Sequence, residues 1–506
     1  MALPLLAAAY PVVFLFTSNA AEHVTMDPLW PPLLLSVGGA AVLLAVLLAI
    51  GREPATASLL TAVLVVSFFG YGHAWNGVAH MLDNQWPLIV VWLALSVAAF
   101  VLAWRAGRRA MTIVRGLALV AAFAVLLNAV GLGQTVAALS SPAPLSPSAG
   151  ADIELERPAG QLPDVYYLVP DRYASISSLR EFYSFDNEPF LAELEERGFR
   201  IANGAHANYT KTSLSLGSSL NLDYLDAERL QADATSVRDR GPIHRVLRDP
   251  LVAPRALKGL GYQYFHVGGW WGPSSTNVDA DRVFAYDRQD TFTEVLRQTT
   301  LLRALSDASA APDDAWDWPS MRASVEYQIG RLREIAEIAG PKYVFGHVML
   351  PHPPYVFDAD GSVMDRAKVR QLGHAEAYRR QLTYANGVLL DLVDRIIERS
   401  PDAVIVIQAD EGPFPARLRA NEADFDWREA ADAELREKFG ILFAMRIPGA
   451  DLEAAGFHDA ITPVNTFRVV FNARFDADLP ILPDRIWTHV GVKRFYDFVD
   501  ITDRLR

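Results

Sequence analysis

The stretch AVIVIQADEGP, residues 403–413, runs a β-branched apolar segment into two adjacent carboxylates, Asp410 and Glu411, and then breaks at Gly412 and Pro413. An unbroken run of this kind reads as a strand buried on both faces, the usual state of a parallel sheet. In open α/β sheets the ligand crevice lies beyond the carboxyl ends of the strands, so two bare carboxylates there invite a cation. The segment DVYYLVPDRY, residues 164–173, repeats the pattern and leaves Asp171 at its exit. Residues 207–225, ANYTKTSLSLGSSLNLDYL, gather Thr210, Thr212, Ser213, Ser215, Ser218 and Ser219, and the spacing of Leu214, Leu216 and Leu220 predicts a short helix starting near Thr212. A hydroxyl at a helix start faces unpaired N–H groups and the positive dipole end, which favour its alkoxide and any bound phosphate. The same position also suits a threonine that only caps the helix. PKYVFGHVMLPHPPYVFD, residues 341–358, adds another buried strand, with His347 near its end and His352 between proline-bounded turns. His347 reads as a buried structural residue or a substrate contact, whereas His352 sits in a rigid loop at the edge that carries the carboxylates.

Strands need helices to alternate with them. The helix-like stretches NEPFLAELEERGF and 375–398 supply that alternation, and with the strands they predict a doubly wound α/β sheet. The chain of 506 residues exceeds one ordinary domain, and 51% of it is hydrophobic. Five apolar stretches, near 3–18, 29–50, 57–78, 86–104 and 112–136, approach the roughly 20 residues a helix needs to cross a bilayer. The first lacks a basic leader and an obvious cleavage site, so it reads as an uncleaved span rather than a signal peptide. Arg52, Arg105, Arg108, Arg109 and Arg115 occupy alternate loops or their edges, while the loops with Glu22, Asp27 and Asp83 carry no basic residue. The positive-inside rule then places the N-terminus and the arginine loops in the cytoplasm and everything beyond residue 140 outside. The expected division is a transmembrane bundle over 1–138, a linker over 139–162 containing the Ser- and Pro-rich SSPAPLSPSAG, and an extracytoplasmic α/β domain over 163–506. The chain has no cysteine, which excludes disulfides, thiolate metal sites and a cysteine nucleophile. Its net charge of −13 argues against nucleic acid as a partner.

The ordered set Asp171, NYTKTSLSLGSSLN, HPPY and QADEGP resembles the alkaline phosphatase superfamily, specifically the membrane-anchored sulfatase-like branch that includes lipoteichoic acid synthases and lipid A phosphoethanolamine transferases. That branch is similar to this chain in architecture, with five spans followed by an extracellular α/β domain. The resemblance implies an alkaline-phosphatase-like fold, with Thr212 as nucleophile, Asp171 and Asp410 as metal ligands, and His352 handling the phosphate or leaving group. Lys211, His347 and His352 would contact substrate. One departure concerns the metal. The family usually reads Asp-His-Gly where this chain reads Asp410-Glu411-Gly412. With Glu411 in the histidine's place, the ligand set Asp171, Thr212, Asp410 and Glu411 is all oxygen, which favours Mn²⁺ or Mg²⁺ over Ca²⁺ or Zn²⁺. The implied activity is transfer of a phosphoglycerol or phosphoethanolamine headgroup from a membrane phospholipid to an envelope glycan or lipid acceptor, through a phospho-threonine. The alternatives are an envelope phosphodiesterase and a catalytically silent, membrane-tethered glycan binder. A formylglycine sulfatase is excluded, because Ser213, Leu214, Ser215 and Leu216 after Thr212 contain no Cys/Ser-x-Pro-x-Arg pattern.

Overall fold

The computed structural model describes residues 2–19, 26–78, 81–82, 84–140, 153–158, 160–234, 236–237, 239–286, 291–306 and 318–505. They form two compact units. Of the expected linker over 139–162, residues 141–152 and 159 lie outside the described residues, as do Glu22 and Asp83.

The first unit contains α1 (Leu3–Ser18), α2 (Trp30–Ala49), α3 (Pro54–Val78), α4 (Trp86–Arg105) and α5 (Ala110–Ser140). Four apolar stretches, Asp27–Ala49, Pro54–Val78, Trp86–Arg105 and Gly107–Gln134, are long and apolar enough to cross a membrane. α1 is equally apolar but has 16 residues, a rise of about 24 Å against a hydrocarbon core of about 30 Å. Leu34, Leu35, Val90, Leu102, Leu119 and Phe123 point outward from the helices, an arrangement that lipid favours and water opposes. This is a membrane protein.

Two short helices from much later in the chain, Thr291–Thr299 and Arg303–Ser306, also belong to this unit. Phe292 and Leu296 lie four residues apart on one helical face and enter an apolar cluster with Val12, Phe16 and Leu29. The Leu301 N–H donates to the Phe68 carbonyl at 2.8 Å. Gly72 permits the close approach, since a Cβ there would lie 2.1 Å from the Gln298 carbonyl oxygen. The sequence-based division at residue 163 assigns this stretch to the α/β domain, whereas its apolar face packs on the helical unit.

The second unit is built on a seven-stranded sheet: β1 (Val165–Pro170), β2 (Arg200–Ile201), β3 (Gln263–Val267), β4 (Arg282–Phe284), β5 (Lys342–Val348), β6 (Val404–Gln408) and β7 (Phe443–Arg446), in the spatial order β2-β7-β6-β1-β5-β3-β4. The strands from β6 to β4 pair in parallel, while β7 runs antiparallel to β6 and to β2. The sheet is therefore mixed, with antiparallel pairings confined to one edge. Every residue of β1, β5 and β6 is buried, as their continuous apolar sequences predict. The helices Trp318–Ala336 and His374–Arg399 lead into β5 and β6. A separate hairpin, β8 (Trp487–Gly491) with β9 (Arg494–Asp500), follows.

Candidate functional site

β1 lies between β5 and β6, so three neighbouring parallel strands end side by side. Val169 pairs with His347 and Leu168 with Ile407. That register brings Asp171, one residue past β1, His347, near the end of β5, and Asp410, two residues past β6, to one place. One ligand atom from each of the three lies within 4.8 Å of the others, and all three residues are buried.

His347 Nε2 stands 3.2 Å from Asp171 Oδ2, yet among the described residues His347 Nε2, Asp171 Oδ1 and Asp410 Oδ2 have no hydrogen-bond partner. Buried polar atoms without partners are costly and uncommon. Two carboxylates and an imidazole nitrogen converging in this way match the donor set of a divalent cation. These residues fit such an ion.

The electrostatics report the same crowding. Burial, then Asp171 and Glu411, push the Asp410 carboxyl up to about 7. Burial works against ionisation of Asp171 too, but His352, His347 and Arg172 hold its carboxyl well below the usual range. His347 would lose its proton through burial alone; Asp171, Asp410 and Glu411 together raise it instead. Two carboxylates sharing a dry site favour a bound cation that neutralises both.

Thr212 is the first residue of the helix Thr212–Asn221 and is half-buried. The cap position belongs to Lys211, and no side chain caps the helix, so Thr212 is not the capping residue that its sequence position also allowed. Its hydroxyl lies near enough to the Asp410 carboxylate to draw that carboxyl's proton affinity down. The residue is thus held against the cluster at a helix N-terminus, where unpaired N–H groups favour an anion.

Glu411, expected as a ligand, is not one of the three clustered residues. Its Oε1 receives Arg172 Nε at 3.2 Å and its Oε2 faces Lys438 Nζ at 2.9 Å. Lys438 is fully buried and reaches back to donate to the Gly412 carbonyl at 3.0 Å. A Cβ on Gly412 would lie 2.5 Å from the Glu437 carbonyl oxygen, so the glycine after Glu411 is what lets Lys438 come this close. The histidine in the cluster is His347, from a different strand.

Its fold is similar to that of solved phosphoethanolamine transferase domains. The C-terminal periplasmic domain of EcEptC from Escherichia coli is 12% identical, with 69% of this chain and 97% of that chain covered and a TM-score of 0.43. The integral membrane protein lipooligosaccharide phosphoethanolamine transferase A (EptA) from Neisseria meningitidis is 14% identical, with 92% and 94% covered and a TM-score of 0.38. A protein in the alkaline phosphatase superfamily from Vibrio parahaemolyticus is 12% identical, with 68% and 76% covered and a TM-score of 0.41. No protein-family model and no curated protein matches the chain. At these values the likeness is one of outline, and the chemistry of the site rests on this chain's own residues.

His352 lies half-buried beside this cluster, its ring 5.4 Å from that of Trp270. Burial and Arg172 push its imidazole down to about 3. Nδ1 bonds the Pro353 carbonyl, which only accepts, so the neutral ring carries its proton on Nδ1 and leaves Nε2 as an acceptor. Lys211 Nζ pairs with Glu422 Oε1 at 2.5 Å and lies 4.5 Å from the centre of the Phe414 ring.

Sequence reasoning missed two participants. Ser274 Oγ lies 2.8 Å from His347 Nδ1 and orients the ring so that Nε2 faces the cluster, while the Ser274 carbonyl is 2.9 Å from His266 Nε2. The signal was VGGWWGPSS, residues 267–275: Gly268 and Gly269 have no room for a Cβ, which would meet Ser275 at 2.5 Å and Met349 Sδ at 2.7 Å. Arg172 is the second. It adopts φ +61°, and from that left-handed turn its N–H reaches Asp410 Oδ1 at 3.3 Å.

Proposed function

We propose that this protein is a metal-dependent phosphotransferase of the membrane surface, in which Thr212 takes up a phospho-headgroup from a phospholipid and passes it to a cell-envelope glycan or lipid. The observation that carries this reading is the convergence of Asp171, His347 and Asp410, with unpartnered ligand atoms, on the side chain of Thr212. Asp171, His347 and Asp410 would hold one divalent ion, which when bound draws electron density from a neighbouring hydroxyl and neutralises phosphoryl oxygen. The imidazole nitrogen makes Zn²⁺ and Mn²⁺ better suited than an all-oxygen set would.

Thr212 Oγ1 attacks phosphorus and forms the new P–O bond as the bond to the diacylglycerol oxygen breaks. The hydroxyl proton passes to a base; His352 Nε2, unprotonated in the neutral ring, can receive it and return it to the departing alcohol. An acceptor hydroxyl then displaces Thr212 by the reverse sequence. The alternating loops of arginine support an extracytoplasmic position for the α/β unit. Mass spectrometry of the Thr212 peptide after incubation of the full chain with phospholipid tests the reading. A phospho-headgroup on Thr212, lost on adding acceptor, is the expected result; turnover with Thr212 never modified overturns it. Free headgroup released without any acceptor would make the same machinery a phosphodiesterase.

A further inference from the structure

Next to Thr212, three cations gather on one aromatic ring. Arg172 lies 3.7 Å, Lys438 4.2 Å and Lys211 4.5 Å from the centre of Phe414. Arg240 belongs to the same neighbourhood: it packs 4.8 Å from the Phe495 ring, and its charge is felt by both Lys211 and Glu422. Three carboxylates contact this group: Glu411 on Arg172 and Lys438, Asp171 with its Oδ1 3.9 Å from Arg172 Nε, and Glu422 on Lys211. Glu411 and Glu422 are unlike each other. The Glu411 side chain is buried at 2% exposure, whereas that of Glu422 is 41% exposed on the short turn Glu422–Asp424.

We propose that Phe414 and the cations around it form an anion subsite beside Thr212, which takes a second anionic group, a phosphate, sulfate or carboxylate, carried by a substrate. Its link to Thr212 rests on the phosphotransfer reading above. Glu411 is a fixed part of the wall and leaves Arg172 and Lys438 in place. Glu422 is the outward-facing counter-ion, the one that an incoming anion would displace from Lys211. Phe414 keeps the ammonium and guanidinium groups gathered by its π-face while no anion is there. The surplus of positive charge is registered nearby: burial, then Lys211, Arg240 and Lys438, hold the His489 imidazole far below its usual range. This concentration of cations stands out in a chain of net charge −13. The subsite shares a wall with the cluster of Asp171, His347 and Asp410, because Arg172 and Glu411 directly follow Asp171 and Asp410 in sequence.

The test titrates the full chain in detergent, stripped of metal with EDTA, with inorganic phosphate in a calorimeter. One saturable site per chain is expected, weakened roughly tenfold by Lys211→Gln and by Arg240→Gln, each removing one charge-assisted contact. Glu422→Gln should tighten phosphate binding, because the competing carboxylate is gone, and Asp410→Asn should retain it. The subsite is overturned if wild type shows no saturable binding, if neither Lys211→Gln nor Arg240→Gln weakens it, or if Asp410→Asn alone abolishes it. In turnover assays Arg240→Gln should raise KM for whichever substrate, donor or acceptor, bears the second anion; unchanged KM for both contradicts the proposal. A metal response that is intact while phosphate binding is absent sinks the subsite alone. The converse sinks the phosphotransfer reading alone.

Discussion

The two ends of the central strands treat buried charge in opposite ways. At the amino end, Asp164 precedes β1 and Lys342 opens β5, both buried. Asp164 Oδ2 accepts from Lys342 Nζ at 2.5 Å and Oδ1 from the Lys342 N–H at 3.2 Å, while Nζ also donates to the Ile338 carbonyl at 2.6 Å. Gly340 makes room, since a Cβ there would lie 1.8 Å from Asp164 Oδ1. At the carboxyl end of the same strands, Asp171, His347 and Asp410 are just as buried, yet Asp171 Oδ1 and Asp410 Oδ2 have no hydrogen-bond partner among the described residues and His347 Nε2 faces Asp171 Oδ2 at 3.2 Å. The sheet can satisfy a buried charge where stability requires it. The unsatisfied groups at the other end fit a bound cation instead.

Substitutions at the two ends should therefore separate activity from stability. Thr212→Ala should lower turnover by more than about 10⁴-fold, the scale of losing a nucleophile. Its thermal midpoint should stay near wild type, because Thr212 caps no helix; assays alongside thermal unfolding check both. Asp164→Ala should do the reverse, costing about 3–5 kcal/mol by leaving the Lys342 ammonium buried and unpaired. Specific activity per folded molecule should remain, as denaturant unfolding and turnover will show. Replacing Asp164 and Lys342 together by apolar residues of similar volume should recover most of that loss. A smaller effect is expected at Ser274. Ser274→Ala frees His347 Nδ1 and should weaken metal affinity about 10–100-fold, with Ser274→Thr restoring much of it. Equilibrium metal titration of the full chain measures this directly.

Much of this contrast is visible in the sequence, because a strand buried on both faces announces itself as a continuous apolar run. VYYLVP, KYVFGHV and VIVIQ map onto β1, β5 and β6, and their exits locate Asp171, His347 and Asp410 at one edge. The helices α1 to α5 of the first unit are legible for the same reason. What sequence could not settle is pairing across long separations. Glu411 follows Asp410, so it reads as a second ligand; only the fold brings Lys438 and Arg172 against it. His347 reads as a structural residue or a substrate contact, yet the order of β5, β1 and β6 puts it beside both aspartates. The stretch 291–306 is separated from α3 by more than two hundred residues, and nothing local in TFTEVLRQT names the surface its apolar face will meet.

The central claim is that the unpaired end of the sheet is a metal site with an imidazole in it. The most direct measurement is a crystal structure of the Mn²⁺-loaded chain with anomalous data collected at the manganese edge. The account predicts one anomalous peak, bound by Asp171, Asp410 and His347 Nε2 at roughly 2.0–2.3 Å, with Glu411 still paired to Lys438. An ion liganded by Glu411 with His347 left outside its shell, or an ion bound elsewhere, would contradict it.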